Sequence, residues 1–461
     1  MDAALITAWK TLCQTLAPAF TTPTAITFLH IATGWVLCRS KPTVTNLVRT
    51  IGDELLGHAA KHWITYEHFF YRASWSLQAV STLLLQDVIA PLIRAHGEGG
   101  GADKPVIEIK IDDATAGRFG KHVAWAGYFK DSSASNAKGT VIHWAHNWVI
   151  GTVALRVRRW SPWVMALPTL FALYRKPRDC DAAHPFFTRQ QLAGQMIQQA
   201  HEALPDWSIR VAADGQYATR EMVEALPTSA NLVSRIRRDA ALHALPAAPR
   251  RRGRGRPRKK GKRLPTPTRM AQSPSTAWRT LTLRKGDRRV RRQVHARVCL
   301  WYGVCKDRPI KLVLVRDPAG VQQDDFFFCT DANVSDTQII ERYYARWTIE
   351  ESIQEGKQFS GFDQVQGWCA RTVERQAPLA LIVQTLVKAW YVSHGVEAES
   401  MQPAGASRYS WMPAKSHPSY LDMLATLRQV LWRDRIKSHS LLRRMVDKIL
   451  QPLQFTLCAA V

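Results

Sequence analysis

Four residues in the last third of the chain have a spacing that could serve phosphodiester chemistry: Tyr343, Arg346, Glu350 and Lys357. At about 100° per residue, their side chains fall within about 60° of arc if the segment forms one helix. A carboxylate would then share a helix face with two cations and a phenol, as a site that holds metal ions and phosphates requires. A solvated helix face with charged pairs would have the same pattern.

Two more acidic positions follow predicted strands. Val106–Ile111 alternates apolar and charged residues and stops at Asp112 and Asp113, and Trp207–Ala213 stops at Asp214. Adjacent residues of a strand point to opposite faces, so only one member of the first pair can point into a shared site. The sequence therefore predicts carboxylates at the ends of two strands and on one helix.

Carboxylates in this arrangement suit divalent metal ions. Phosphodiester hydrolysis and transesterification develop negative charge on the attacking and leaving oxygens, which two ions about 3.5–4 Å apart can stabilise. Mg²⁺ prefers oxygen ligands and keeps several waters, so three acidic side chains suffice. Asp113, Asp214 and Glu350 meet this requirement. We therefore predict two Mg²⁺ ions as cofactors, with Mn²⁺ as a substitute.

The elements around the carboxylates predict the fold that positions them. Strands predicted at 140–155 and 163–174 follow the first aspartate pair, and a helix over 187–204 precedes the strand that leads to Asp214. Three strands, a helix and a fourth strand are the order of an RNase H-like core. The expected fold class is α/β, or α+β overall: an RNase H-like mixed sheet flanked by helices, a β-rich insertion before the last catalytic helix, and an all-helical N-terminal domain.

The chain is long enough for several packed units. The predicted parts are a helical N-terminal domain at 1–100, the catalytic core at 101–229 and 324–395, a β-rich insertion at 230–323, and a helical C-terminal region at 396–461 that could mediate dimerisation. Basic and aromatic residues alternate in the N-terminal domain, as in Lys61, Trp63 and Arg72, which suits a DNA-binding domain, although ordinary helix packing explains the aromatic residues equally well. Strand-like pieces in the insertion are Leu232–Ile236, Trp278–Leu283, Gln293–Cys305 and Lys311–Val315.

The charge of the chain favours a polyanionic partner. The formal net charge is +26 among 461 residues, and the isoelectric point is near 10.1, which suits double-stranded DNA. The eight cysteines include no CxxC pair and suit reduced thiols in a cytosol. The apolar stretches at 160–174 and 377–392 are shorter than the roughly 20 residues of a spanning helix. A soluble, cytoplasmic protein with no membrane partner is expected.

A basic loop at 250–263 reads RRRGRGRPRKKGKR and has no apolar side chain to bury except that of Pro257. Gly-Arg-Pro flanked by basic residues resembles the AT-hook, which lies in the narrow minor groove of A·T-rich DNA. Arg254 and Arg256 would then bind DNA. A loop that contacts phosphates without sequence preference is the other DNA-binding interpretation, and a solvated charge run is the third.

The helix motif resembles the last catalytic motif of bacterial insertion-sequence transposases of the DDE class: Tyr, two residues, Arg, three residues, Glu, six residues, Lys. Tyr343, Arg346, Glu350 and Lys357 match that spacing, and the surrounding text YYARWTIEESIQEGKQFSGFDQVQGW is also similar. IKIDDATAGRFGKH resembles the family's first motif and VAADGQYA its second, so the resemblance spans most of residues 20–395. Alignment favours Asp113 over Asp112, although the family usually has Thr where this chain has Ala114.

The resemblance implies a transposase that cleaves the ends of its insertion sequence and joins them to target DNA by 3′-hydroxyl attack. Asp113, Asp214 and Glu350 would be the catalytic metal ligands, and Tyr343, Arg346 and Lys357 would hold phosphates. Terminal inverted repeats, target DNA and a second copy of the chain in a synaptic homodimer are the implied partners, and the bacterial nucleoid is the implied location. Base flipping in relatives implies an aromatic stacking partner, for which Trp278 and Trp301 are candidates.

Two other functions remain open at this stage. Another RNase H-like nuclease, such as a resolvase, would need the fold and the carboxylates but not the Tyr, Arg, Glu, Lys motif. A domesticated DNA-binding protein would keep the fold and the charge without cutting DNA. Such a protein has no physical reason to keep acidic side chains together in a partly buried site, so the intact carboxylates favour an enzyme.

Overall fold

A computed structural model describes residues 2–98, 104–131, 135, 139–246, 258–286, 288–400 and 415–438. Its helices are α1 (Asp2–Gln14), α2 (Thr22–Leu37), α3 (Val44–Ile51), α4 (Trp63–Tyr71), α5 (Leu77–Leu83), α6 (Ala90–His96), α7 (Arg189–Ala203), α8 (Arg220–Ala225), α9 (Pro267–Gln272), α10 (Tyr302–Cys305), α11 (Asp336–Tyr344), α12 (Trp347–Phe359), α13 (Ala370–Ser400) and α14 (Tyr420–Ser438).

The strands are β1 (Glu54–Leu55), β2 (His58–Ala59), β3 (Val106–Gly117), β4 (Gly127–Lys130), β5 (Ile142–Leu155), β6 (Met165–Tyr174), β7 (Ser208–Ala213), β8 (Ala230–Arg235), β9 (Arg279–Lys285), β10 (Arg288–Cys299), β11 (Ile310–Arg316) and β12 (Asp325–Cys329). All except β1 and β2 form one mixed sheet. Helices flank this sheet, so the molecule is a mixed α/β protein.

The middle of the sheet has the strand order β6-β5-β3-β7-β8. β3 pairs antiparallel with β5 and parallel with β7, and β7 pairs parallel with β8. The crossover from β6 to β7 contains α7, which begins at a capping box between Thr188 and Gln191. The predicted succession of three strands, a helix and a fourth strand corresponds to β3, β5, β6, α7 and β7, and the short strand β4, which was not predicted, lies between β3 and β5 in the chain.

The first strand does not end at its aspartates, which corrects the prediction for this segment. β3 continues to Gly117 because residues 109–117 pair with residues 145–153 of β5. Its pairing with the other neighbour, β7, stops at Ile111 and Ala213. Asp112 and Asp113 thus lie just beyond the end of the parallel pairing with β7, within the part of β3 that still pairs with β5.

The strands predicted as an insertion extend the same sheet. Beyond β8 the order is β12-β11-β10-β9, and all of these pairs are antiparallel. β12 was not predicted, and the segment Gln293–Cys305 divides into the end of β10 and the short helix α10. A separate core of apolar side chains joins this half of the sheet to α11 through residues such as Val313, Phe327 and Ile340.

The N-terminal region is not all-helical, because β1 and β2 form a small hairpin within it. Leu56 and Gly57 connect the two strands, and both have positive φ values, 55° and 79°. A two-residue hairpin turn of the primed type requires this conformation at both positions. Helices α1 to α6 share one continuous hydrophobic core with α13 and α14.

Two helical stretches are long and apolar enough to cross a membrane, Leu77–His96 and Ala370–Glu399, and the prediction that the second is too short is therefore wrong. In α13, 83% of the apolar window is buried inside the protein. The side chains of Gln384 and Lys388 within it bond to α12. Burial against β6, α1 and α14 accounts for its apolar composition.

Candidate active site

A cavity of about 1010 Å³ opens beside α12, at the point where the pairing of β3 with β7 ends. The side chains of Asp112, Asp113, Asp214, Arg346, Glu350 and Lys357 all line it. The fold therefore brings the three predicted acidic positions and both cations of the helix motif to one place. Tyr343 does not line the cavity but bonds to one of its carboxylates.

The pairing of β3 with β7 places Asp112 beside Asp214. Ile111 and Ala213 are partners in this parallel pair, and Asp214 continues in extended backbone with φ −68° and ψ 164°. In-register residues of parallel strands point to the same face of a sheet. On this face, the neighbouring Lys110 has its Nζ 3.3 Å from a carbonyl oxygen of α11. Asp112 and Asp214 therefore face the layer that contains α11 and α12.

Asp113 points to the other face of β3. Its carboxylate accepts hydrogen bonds from Asn147 Nδ2, at 2.8 Å, and from Gln216 Nε2. Arg189 Nε, at the first turn of α7, lies 3.5 Å from the same carboxylate and donates to Asn147 Oδ1 at 2.9 Å. The adjacent aspartates thus have different partners, as the alternation of a strand requires, and it is Asp112 that shares a face with Asp214.

The four motif residues are divided between two helices and the turn that joins them, instead of lying on one helix. α11 ends at Tyr344, and Arg346 lies in the turn before α12. Thr348 Oγ1 donates to the Ala345 carbonyl oxygen at 2.9 Å, and the Ile349 amide bonds to Arg346, three residues back. This local bonding replaces the i to i−4 pattern. The angular count from Tyr343 to Lys357 therefore does not hold across the break.

Arg346 lies between β3 and α12. Its Nη1 donates to Asp112 Oδ2 at 2.7 Å and its Nη2 to Glu350 Oε1 at 2.5 Å. The side chain is 13% exposed, and its Nε has no hydrogen-bond partner among the described residues. One buried guanidinium thus joins two of the acidic positions that the sequence analysis singled out.

The electrostatic environment of Asp112 is unfavourable for a carboxylate. Burial raises the pKa of Asp112 to about 6, and the neighbouring carboxylates of Asp113 and Glu350 add to this effect. The Arg346 guanidinium and the Asp113 amide oppose it, since the amide donates to Asp112 Oδ1 at 2.9 Å. More positive charge at this point would stabilise the ionised form.

Tyr343 supports the third acidic position from α11. Its hydroxyl donates to Asp214 Oδ1 at 3.3 Å, and its ring packs against Phe327 with centroids 4.5 Å apart. Burial raises the pKa of the Tyr343 phenol to about 12, so the phenol stays protonated and donates. Tyr343 therefore orients Asp214 and is not free to bind a ligand by itself.

The carboxylate oxygens at the cavity are donor atoms of the kind that a hard divalent cation binds. Carboxylate oxygens from β3, from the end of β7 and from α12 are the ligands that Mg²⁺ prefers. No three Asp, Glu, His or Cys side chains in the described parts of the chain already surround one point. The Arg346 guanidinium occupies the space between Asp112 and Glu350, so ion binding requires this side chain to move away from at least one of them.

Several further residues at the site were missed by the sequence analysis. Asn147, Arg189 and Gln216 lie far apart in sequence and only the fold brings them to Asp113. Trp347 lines the cavity and is 60% exposed, which makes it an aromatic side chain able to stack on a base. Its place directly after Arg346 was the signal that could have identified it.

The two tryptophans named as candidate stacking partners do not line the cavity. Trp301 is buried against Phe328, and Trp278 packs against the Arg316 guanidinium, 4.3 Å from its ring centroid. Both stabilise the second half of the sheet. The predicted DNA-binding residues Arg254 and Arg256 lie outside the described residues.

Comparison with known proteins identifies the family. The family model described as DDE superfamily endonuclease matches residues 15–307, well over half of the chain. The match contains Asp112, Asp113 and Asp214 and ends before Glu350. No curated protein matches the sequence.

Among solved structures, the chain is similar to the cryo-EM structure of the piggyBac transposase synaptic complex with hairpin DNA. The two are 11% identical, the alignment covers 97% of this chain and 84% of that chain, and the TM-score is 0.39. A likeness this slight does not define a shared function. The family match over residues 15–307 does define the family, and the chain belongs to the DDE superfamily endonucleases.

Proposed function

We propose that the protein is a DNA transposase with an RNase H-like core, which cleaves the ends of an insertion sequence and joins them to target DNA by 3′-hydroxyl attack. The observation that carries the proposal is the arrangement of Asp112, Asp214 and Glu350 around one cavity, on three separate elements. Family membership supports an endonuclease. The terminal Tyr, Arg, Glu, Lys motif favours transposition over resolution of DNA junctions.

In this proposal, two Mg²⁺ ions, or Mn²⁺ in their place, would be held by Asp112, Asp214 and Glu350 and would stabilise the attacking and leaving oxygens. Asp112 replaces Asp113, which the sequence favoured, because Asp112 faces α12 with Asp214. Asp113 would position the strand through its polar partners.

The remaining motif residues would bind and orient the DNA strand. Lys357 lines the cavity with no acidic partner among the described residues, so its ammonium is available to a phosphate. Arg346 would exchange a carboxylate for a phosphate when an ion enters. Tyr343 would hold Asp214 in place by its hydrogen bond. The net charge of +26 supports double-stranded DNA as the partner.

The five-part domain organisation, a synaptic homodimer, DNA binding by the loop at 250–263 and a place in the bacterial nucleoid belong to the same proposal. A single reaction tests its core. Purified protein is incubated with a plasmid that carries its own gene and the flanking DNA, with and without Mg²⁺. We expect strand cleavage at the ends of the element only when the ion is present. Specific DNA binding without cleavage under either condition would favour the domesticated binding protein.

Removal of Arg346 tests whether an ion can occupy its place. Arg346→Ala is expected to lower the free energy of unfolding by about 2 kcal/mol, because it leaves two carboxylates without their cation. The value is below that of a fully buried pair because Glu350 is 32% exposed. Thermal unfolding with increasing Mg²⁺ should then show a larger upward shift for Arg346→Ala than for the wild type.

Arg346→Lys is the matched control, since it keeps the positive charge and loses the two-pronged geometry. Its free energy of unfolding, and the shift of its thermal unfolding with Mg²⁺, should both lie between those of the wild type and the alanine variant. An alanine variant that is as stable as the wild type and responds to Mg²⁺ in the same way would contradict the proposal that the Arg346 guanidinium occupies the place of a metal ion.

A further inference from the structure

The outer hairpin of the sheet, formed by β9 and β10, carries an unusual charge pattern at its tip. We define the hairpin tip as Arg284, Lys285, Arg288 and Arg289, which flank the turn. Three of these side chains are exposed and Arg284 is half-buried. Asp287, which follows Gly286 in the sequence, lies outside the described residues.

The four cations form two like-charged pairs across the strands. Arg288 lies directly opposite Lys285, and Arg289 lies directly opposite Arg284. Side chains in such positions have Cβ atoms about 4.5–5.5 Å apart, and like charges there destabilise the pair. Among the described residues none of the four side chains forms an ion pair, and the nearby Glu341 carboxylate accepts instead from the backbone amide of Arg284, at 2.8 Å. The fold therefore tolerates a local repulsion that a polyanion would relieve.

The two pairs point to opposite faces of the hairpin. Leu283 and Val290 belong to the core beneath α11, so Lys285 and Arg288, two residues further along each strand, face the same way. Lys285 Nζ lies 5.3 Å from the centroid of the Tyr344 ring in α11. One side of the hairpin tip thus adjoins the helix that leads to the cavity.

A row of cations connects this side of the tip with the candidate active site. Tyr344 follows Tyr343, and the Tyr343 ring has Arg235 5.4 Å and Arg346 5.7 Å from its centroid. Arg235 and Arg346 both line the cavity. The cations of Arg346, Arg235 and Lys285 therefore lie along two consecutive tyrosines, from the carboxylates to the edge of the sheet.

We propose that the α11 face of the hairpin tip binds phosphates of the DNA duplex that continues away from the cleaved bond. This inference rests on the proposed function and adds a second contact surface, outside the carboxylate site, to it. Phosphate contacts of this kind set the position of a protein on a duplex without reading its sequence. Positive charge on an edge strand also prevents pairing between sheets, which is the competing explanation for these residues.

The test compares two double variants of the full chain that lose the same charge. Lys285→Gln with Arg288→Gln neutralises the α11 face of the tip. Arg291→Gln with Arg297→Gln neutralises two exposed cations on the opposite face of β10. Binding of a labelled duplex of arbitrary sequence is measured by fluorescence anisotropy over a range of salt concentrations.

For the tip variant, we expect the magnitude of the negative slope of log K against log salt to decrease by about 1.8, since each lost phosphate contact removes about 0.9. At about 0.1 M salt this corresponds to roughly sixty-fold weaker binding. The loss should be the same for duplexes of different sequence. The control variant should bind as the wild type does, and the tip variant should melt at the same or a higher temperature because a repulsive pair is removed.

Three results would overturn the inference. Unchanged binding by the tip variant would leave protection of the sheet edge as the explanation of the charge. An equal loss in both variants would show that only net charge matters, and a lower melting temperature of the tip variant would assign the cations to stability. Failure of the wild type itself to bind duplex DNA would instead overturn the proposed function, so the two failures are distinguishable.

Discussion

Glu350→Gln and Asp214→Asn are each expected to reduce Mg²⁺-dependent DNA cleavage by at least about a thousandfold, because each removes a charged ligand from a centre that stabilises the transition state by several kcal/mol. Both changes keep the size of the side chain. Asparagine at 214 also keeps an oxygen that can accept from Tyr343. Quantification of cleaved ends by gel electrophoresis, under single-turnover conditions, measures the effect.

Two exposed acids outside the cavity provide matched controls for these variants. Glu202→Gln on α7 and Asp206→Asn after it make the same chemical changes, and we expect cleavage within about threefold of the wild type because surface substitutions of this kind have little effect. DNA binding by Glu350→Gln and Asp214→Asn should remain. Cleavage by both site variants at the wild-type rate would remove these residues from the catalytic centre.

The adjacent aspartates of the first motif should respond differently to the same substitution. Asp112→Asn is expected to reduce cleavage by at least about a hundredfold, since Asp112 faces Asp214 and Glu350 across the cavity. Asp113→Asn should reduce cleavage by less than about tenfold. Its amide group would face the donors of Asn147 and Gln216, so a loss of stability of about 1–2 kcal/mol is expected there instead.

Cleavage and thermal unfolding, measured on the same two preparations, separate the roles. If Asp113→Asn is inactive while Asp112→Asn cleaves DNA, the choice made from the sequence was correct and the faces of β3 were assigned wrongly. If both are inactive but only Asp113→Asn has a lower melting temperature, Asp113 acts by positioning the strand that carries Asp112.

The strands and helices near the carboxylates could be predicted because their patterns are local. Alternation of apolar and charged residues predicted β3 as far as Ile111, and helical spacing over 187–204 predicted α7. The extension of the sheet beyond β8 could not be predicted, because pairing between strands depends on contacts distant in sequence. A basic loop and short strands at 230–323 indicated an insertion, whereas the strands add directly to the central sheet.

The sequence predicted several of the residues that line the candidate site, but not how those residues are arranged. Residue types and spacing identified Asp214 and Glu350, and both line the cavity. Alternation also predicted that Asp112 and Asp113 face opposite ways, but which of them faces α12 depends on the register between β3 and β7, which no local pattern records. The break at Arg346 was missed because helical periodicity continues in the sequence although the helix does not.

The position of a bound ion tests the central claim most directly. Crystals of the protein soaked with Mn²⁺ can be measured at the manganese absorption edge, where anomalous scattering locates the ion without reference to the protein density. We expect an ion bound by carboxylate oxygens of Asp112 and Asp214 at about 2.0–2.5 Å, with Arg346 turned away from Glu350. An ion at Asp113, or none at these carboxylates in crystals of an active preparation, would contradict the account.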